Sequence, residues 1–163
     1  MARKRKKQAV RLIPPSIGPL PNKLAGRFAD RLLVFSDASR RRHGGLAAVL
    51  FDDHAGEPIV ATRSVALAGS NELELLAAIF ALEEAVRRFP ARPVALFSDN
   101  SDALARLTRA ATLGLAQDAP LAALCGAPGV AAVLAGASFN WVRGHAGCRG
   151  NLLADLHAAA AAA

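Results

Sequence analysis

Three apolar segments near the start of the folded region alternate with turn-forming residues. They lie at residues 32–35, 46–51 and 58–67, and turn-forming stretches at 44–45 and 52–56 separate them. Short apolar segments joined by brief turns are typical of consecutive antiparallel strands. The pattern therefore predicts a three-stranded antiparallel meander.

The period of the apolar positions then changes from that of strands to that of helices. Between residues 71 and 88 apolar side chains recur at helical spacing with charged ones opposite, and Phe89-Pro90 ends this helix. The continuous apolar run at 94–97 predicts a strand that is buried on both faces. The remaining elements are predicted as a helix at 100–111, a short helix near 121–125, a strand at 139–142 and a helix from 152 onward. This order predicts an α/β fold in which a mixed five-stranded sheet, three antiparallel strands followed by parallel ones, is flanked by helices.

The first thirty residues carry the excess of positive charge. Lysines and arginines against Asp30 alone give them +7, which equals the net charge of the whole chain. Residues 1–29 contain several prolines and no hydrophobic periodicity, so we predict a disordered basic tail at 1–29 and a single folded domain at 30–163. A self-repelling basic run is typical of arms that bind nucleic acid, with a solubilising leader as the alternative. That run comprises Arg3, Lys4, Arg5, Lys6 and Lys7.

Several classes of protein are disfavoured by the sequence. Charged residues, prolines or glycines interrupt every apolar stretch before the roughly 18 residues that a membrane span needs, so no membrane association is expected. No apolar segment follows the basic run as it would in a secretory signal peptide, and Cys125 and Cys148 show no spacing typical of a metal site or a disulfide. We expect a cytoplasmic protein with reduced cysteines, and a monomer by default.

Carboxylates stand at positions where a sheet would bring them together. Asp37 and Asp99 each follow an aliphatic residue, a phenylalanine and a serine. Because open α/β sheets bind ligands at the carboxyl ends of their strands, the two aspartates are expected to converge. Taken singly, Asp37 could equally be a turn residue and Asp99 a helix cap. Glu74 lies among apolar residues of the predicted first helix, where a lone carboxylate is costly unless it is paired or binds a metal.

The most specific stretch reads WVRGHAGCRGN from residue 141, with an aspartate four residues later. At this point the chain resembles the type 1 ribonucleases H. The motifs of that family are Asp-x-Ser at the end of the first strand, Glu-Leu on the first helix, a second strand-end Asp, and Val-x-Gly-His-x-Gly leading to Asn and Asp. Here they are Asp37-Ala38-Ser39, Glu74-Leu75, Asp99, Val142–Gly147, Asn151 and Asp155. Each motif alone is common, but the ordered set is specific.

The resemblance implies a ribonuclease H-like fold and an endonuclease that hydrolyses the RNA strand of RNA–DNA hybrids by two-metal-ion catalysis. It implies that two Mg²⁺ ions are bound by four carboxylates and that His145 assists proton transfer or product release. Crowding supports the metal site independently, since like charges repel unless cations neutralise them, and Mn²⁺ fits the same oxygen ligands. The four carboxylates are Asp37, Glu74, Asp99 and Asp155. The residues expected to contact nucleic acid, besides the basic run, are Ser39, Arg40, Arg41, Arg42, Asn71, Arg143 and Asn151.

The chain departs from the family pattern at residues 40–43, where three arginines and a histidine replace a longer, glycine-rich loop. The arginines are suited to holding phosphates, and a solvated turn is the ordinary alternative. Residues 100–139 contain no basic, tryptophan-containing insertion of the kind some bacterial members use to grip the hybrid. Two other functions stay open: a nuclease of the same fold that acts on DNA, and a non-catalytic nucleic-acid-binding or assembly module.

Overall fold

The computed structural model describes residues 18–144 and 148–163, and their elements follow the predicted order of three strands, helix, strand, helices, strand and helix. The strands are β1 (Leu32–Arg40), β2 (Gly44–Phe51), β3 (Ile59–Val65), β4 (Val94–Ser98) and β5 (Ser138–Trp141). The helices are α1 (Ser70–Arg88), α2 (Ser101–Leu113), α3 (Ala119–Leu124), α4 (Val130–Gly136) and α5 (Arg149–Ala162).

The five strands form one mixed sheet in the order β3-β2-β1-β4-β5. β2 pairs antiparallel with β1 and β3, and β4 pairs parallel with β1 and β5. The predicted fold class is confirmed. In the parallel ladder Phe35 of β1 is level with Phe97 of β4. Asp37 and Asp99, each two residues further on, therefore leave the ladder at the same level.

Each face of the sheet has its own hydrophobic cluster. Leu32 and Val34 of β1 pack in the cluster that contains the buried residues of α1, whereas Leu33 and Phe35 pack in the cluster that contains Ala154 of α5. Side chains of a strand alternate between its two faces, which explains this division. The continuous apolar run of β1 thus reflects a strand covered on both sides.

The alanine-rich α5 lies very close to the sheet. A Cβ atom added to Gly45 of β2 would lie 2.1 Å from the carbonyl oxygen of Ala158. A Cβ atom added to Gly150 would lie 2.4 Å from the ring of Phe35. Ala158 and Ala162 are completely buried. Ala158 and Ala162 therefore form a packing surface, and small residues are required on both sides of the contact.

The packed region begins before the predicted boundary at residue 30. Leu20 is buried in the cluster under α5, and the ring of Phe28 meets that of Phe97 edge-on with centroids 5.2 Å apart. The N–H of Gly150 donates to the carbonyl of Pro19 at 3.1 Å. Leu20 and Phe28, predicted as part of a disordered tail, thus pack against the sheet, because their isolated apolar side chains find partners in the folded domain. The basic run at residues 3–7 lies outside the described residues.

The alanine-rich stretch between α2 and β5 contains two short helices. α3 lies where a short helix is predicted, but α4 was not predicted, because only Val130 and Leu134 of its side chains are buried. Cys125 and Cys148 are buried free thiols. In the part of the chain that the structure describes, no helix is long and apolar enough to cross a membrane.

Candidate metal centre and nucleic-acid interface

Three of the four predicted carboxylates converge beyond the carboxyl end of β4. One carboxylate oxygen from each of Asp37, Glu74 and Asp99 lies within 4.8 Å of the others. Asp99 follows β4 directly, and Glu74 lies in the second turn of α1. Asp37 lies inside β1 rather than at its end, because β1 continues to Arg40 in its pairing with β2. The parallel pairing with β4 stops at Phe35, so Asp37 still projects beyond that ladder.

Asp155 lies on α5, beside this group. Its charge is one of the causes that raise the pKa of Asp37, so it is within electrostatic reach of the cluster. The carboxylates that meet within 4.8 Å among the described residues are nevertheless those of Asp37, Glu74 and Asp99. The structure therefore brings three predicted ligands together and places the fourth next to them.

Burial and crowding both oppose ionisation of these carboxylates. Burial, followed by the charge of Asp99, raises the pKa of Asp37 to about 7, although the N–H of Ala38 donates to its Oδ1 at 2.9 Å and lowers the pKa. Burial, followed by the charges of Asp37 and Asp99, raises the pKa of Glu74 to about 9. The side chains of Glu74 and Asp37 are hydrogen-bonded to each other. At neutral pH and without a cation, Glu74 keeps its proton and donates it to Asp37.

The donor set of the cluster fits a divalent cation. Oε2 of Glu74 is buried and has no hydrogen-bond partner among the described residues. The α1 side chains that follow Glu74 on the same face, Ala77, Ala78 and Ala81, are completely buried and offer it no polar atom. A hard cation with oxygen ligands would satisfy this atom, replace the shared proton and cancel the repulsion between the carboxylates.

The arginine-rich turn lies next to the cluster. Residues 41–43 connect β1 to β2, and their side chains are exposed, as is that of Arg40. A cavity of about 80 Å³ lies between the end of β1, just before this turn, and the start of α1, and its lining consists of Ala38, Ser39, Arg40, Ser70, Leu73 and Glu74. The predicted phosphate-binding side chains of Ser39 and Arg40 therefore share a cavity with a predicted metal ligand.

Asn71 is exposed at the start of α1, three residues before Glu74. Its Oδ1 accepts from Nδ2 of Asn100 at 3.1 Å, and its Nδ2 donates to Oδ2 of Asp102 at 3.4 Å. Asn100 also caps α2 by accepting from the N–H of Ala103 at 2.9 Å. Sequence reasoning missed Asn100 and Asp102. An asparagine before a helix is a recognisable cap, but its bond to Asn71 depends on tertiary structure.

The segment between β5 and α5 is described in part. Arg143 is exposed, whereas Asn151 is only 2% exposed and its Nδ2 donates to the carbonyl of Arg143 at 3.4 Å. Asn151, predicted to contact nucleic acid, is thus an interior residue of the first turn of α5, and its amide holds this segment at Arg143. His145 lies outside the described residues.

Comparisons with known proteins agree with this arrangement. The family model for RNase H matches residues 29–163, and a comparison with curated proteins finds no significant match. The fold is similar to the N-terminal RNase H domain of rv2228c from Mycobacterium tuberculosis, which was solved as a fusion with maltose binding protein. The two sequences are 20% identical, the match covers 81% of this chain and 93% of that chain, and the TM-score is 0.62. RNase H1 from the halophilic archaeon Halobacterium salinarum is 22% identical, with coverage of 80% and 96% and a TM-score of 0.56. LC11-RNase H1 in complex with an RNA/DNA hybrid is 15% identical, with coverage of 78% and 93% and a TM-score of 0.55.

At these identities the solved structures show the fold, and the family model, which spans most of the chain, shows the family. The mixed sheet and the three carboxylates at its end are what the ordered motifs predict. The chain belongs to the RNase H family.

Proposed function

We propose that this protein is an endoribonuclease that hydrolyses the RNA strand of RNA–DNA hybrids with Mg²⁺ as its cofactor. The observation that carries the proposal is the convergence of Asp37, Glu74 and Asp99 around a buried Glu74 oxygen that lacks a partner among the described residues. Such a cluster opposes folding, because desolvation and repulsion both disfavour its charges. A metal-dependent nuclease site explains why the chain contains it.

In this proposal the three converging carboxylates hold the cations, and Asp155 completes the ligand set from α5. When bound, two divalent cations supply charge stabilisation to the scissile phosphate and to its leaving oxygen. Mg²⁺ is the preferred ion because all the ligand atoms are oxygens, and Mn²⁺ fits the same set. The chain orients its own ligands: the N–H of Ala38 holds Oδ1 of Asp37 at 2.9 Å. His145 is proposed to move a proton or to assist product release from the neighbouring loop.

Contacts to nucleic acid are proposed to come from the surface around the cluster. The exposed Arg40–Arg42 turn offers guanidinium groups to backbone phosphates beside the cavity that reaches Glu74. Ser39, Asn71 and Arg143 extend this surface. The basic run at residues 3–7 is proposed to add attraction that does not depend on sequence. The similar LC11-RNase H1 was solved with an RNA/DNA hybrid, which supports a hybrid as the substrate.

Digestion of matched duplexes tests the proposal. The full-length protein is incubated with an RNA–DNA hybrid, duplex DNA and duplex RNA of one sequence, with Mg²⁺ or with a chelator. We expect cleavage of the RNA strand of the hybrid only, and only with Mg²⁺. Asp99→Asn keeps the side-chain shape and removes a ligand charge, so it is the inactive control, and Asp30→Asn, at an exposed aspartate outside the cluster, is the active one.

Two other results would contradict the proposal. Preferential cleavage of duplex DNA would identify a DNA nuclease of the same fold. Binding of the hybrid without cleavage, in both Mg²⁺ and Mn²⁺, would identify a non-catalytic binding module.

A further inference from the structure

Trp141, the single tryptophan of the chain, lies at the end of β5 beside Asp99. Its indole Nε1–H donates to the backbone carbonyl of Asp99 at 3.1 Å. The side chain is 57% exposed, so core packing does not explain its presence. An indole has one hydrogen-bond donor, and here that donor binds the backbone of a residue in the carboxylate cluster.

The backbone on both sides of Asp99 is held as well. The N–H of Val142 donates to the carbonyl of Ser98 at 2.9 Å. The N–H of Asn100 donates to the buried hydroxyl of Ser98 at 3.1 Å. Together with the bond from Trp141, these bonds restrain the peptide groups before and after Asp99. Rotation of this backbone, which would swing the carboxylate, is opposed at three points.

Gly144 approaches the same residue from the side-chain end. A Cβ atom added to Gly144 would lie 2.8 Å from Oδ2 of Asp99. Residues 141–144 therefore meet Asp99 at both ends, through the Trp141 indole at its carbonyl and through the Gly144 backbone beside its carboxylate. Any shift of this segment changes the space in which that carboxylate lies. The indole bond ties the start of the segment to Asp99.

We propose that Trp141 is a positioning residue, whose indole N–H bond to the Asp99 carbonyl fixes the Asp99 carboxylate in the geometry that binds the cation. The inference rests on the proposed metal-dependent function of the cluster. Trp141 acts through Asp99 and not through contact with the nucleic acid. Stacking of the exposed ring on a base or sugar is the competing role, and phenylalanine separates the two, because it stacks but has no N–H.

Trp141→Phe is the test variant, because it keeps an aromatic ring and removes the donor. We expect kcat for the hybrid to fall about tenfold with KM little changed, since a small displacement of a metal ligand lowers turnover strongly. The Mg²⁺ concentration that half-saturates thermal stabilisation should rise about threefold to tenfold, the range expected for one lost hydrogen bond. Leu113→Ala, at a side chain 62% exposed at the end of α2, is the matched control and should keep the parental values.

Fluorescence of the unmodified chain provides a second measurement that does not need a variant of Trp141. Because the chain has one tryptophan and no tyrosine, its emission reports the surroundings of Trp141 alone. Titration with Mg²⁺ should change this emission, and Asp99→Asn should abolish the change. An emission that stays constant while Mg²⁺ raises the Tm would overturn the inference.

The remaining outcomes of these measurements are also decisive. A Trp141→Phe protein with parental kcat and parental Mg²⁺ half-saturation would overturn the positioning role. A Trp141→Ala protein with a raised KM and unchanged kcat, beside a Trp141→Phe protein with parental values, would overturn it in favour of substrate stacking. A parent protein that neither cleaves the hybrid nor gains thermal stability from Mg²⁺ would overturn the proposed function itself, so the two failures are distinguishable.

Discussion

Removal of one carboxylate from the cluster should stabilise the metal-free protein at neutral pH. Burial and neighbouring charge raise the pKa of Asp37 to about 7 and that of Glu74 to about 9. A carboxyl group whose pKa is raised by folding contributes its full stability below its unfolded pKa and loses it as the pH rises through its folded pKa. The free energy of unfolding of the metal-free parent should therefore fall from about pH 4 to about pH 9.

The size of the effect follows from how far folding raises the pKa of Asp37. The change from 3.8 to about 7 corresponds at pH 7 to about 4 kcal/mol of unfolding free energy, since one pKa unit is about 1.4 kcal/mol. Asp37 and Glu74 share a proton, so their contributions overlap, and we expect Asp37→Asn to gain about 2 kcal/mol. The asparagine oxygen still accepts from Ala38. For a chain of 163 residues this gain raises the Tm by about 4–8 °C.

Thermal unfolding from pH 4 to pH 9, in a chelator and in excess Mg²⁺, measures the effect. In the chelator, the increase in Tm of Asp37→Asn over the parent should be largest above pH 7 and should vanish near pH 4. In Mg²⁺ the difference should shrink or reverse, because the parent binds the cation more tightly. Asp30→Asn removes an exposed aspartate and should follow the parent throughout. Equal curves for the parent and Asp37→Asn in both conditions would refute a shared carboxylate site.

The remaining predictions concern catalysis, the loop, the tail and the packing of α5. Asp99→Asn should abolish hybrid cleavage with an unchanged circular dichroism spectrum, and cleavage at the parental rate would contradict the ligand assignment. His145→Ala should lower kcat while the Mg²⁺ dependence of the Tm stays parental; a large loss of Mg²⁺ affinity would instead make His145 a ligand. Removal of residues 1–17 should flatten the slope of log hybrid affinity against log salt by about 3, and identical slopes would mean that the tail does not touch nucleic acid. Gly45→Ala should lower the free energy of unfolding by about 1–3 kcal/mol, because its Cβ would lie 2.1 Å from the Ala158 carbonyl, and a parental denaturation midpoint would argue against this contact.

Periodicity predicted the elements whose apolar side chains are numerous and regular. β1, β2 and α1 bury long runs of such side chains, and the order of the elements then indicated the mixed sheet. The same pattern missed α4, where Val130 and Leu134 alone are buried. It also missed the packing of Leu20 and Phe28, which are isolated among polar residues. Their burial depends on surfaces that only the assembled sheet provides, so no local pattern indicates it.

Ordered motifs located the carboxylates but not the groups that hold them. Asp37 and Asp99 are recognisable because each lies just past the parallel pairing of β1 with β4, at one edge of that ladder, although β1 itself continues to Arg40. Asn71 and Asn151 are both asparagines in the first turn of a helix, yet Asn71 is exposed and Asn151 is only 2% exposed. The bond from Trp141 to the Asp99 carbonyl joins residues 42 positions apart. Contacts of this kind follow from the fold and become visible only with it.

The terminal alanines join the packing of the domain to its proposed function. Their methyl groups carry no polar or ionisable group. In the structure the N–H of His43 donates to the carbonyl of Ala162 at 3.0 Å, and Ala162 is buried against Gly45. α5 thus ends on the turn that carries Arg40–Arg42, where the negative end of the helix dipole favours positive charge. The same helix carries Asp155 near its middle, so one close-packed contact between small residues holds a proposed metal ligand and the turn proposed to bind phosphates.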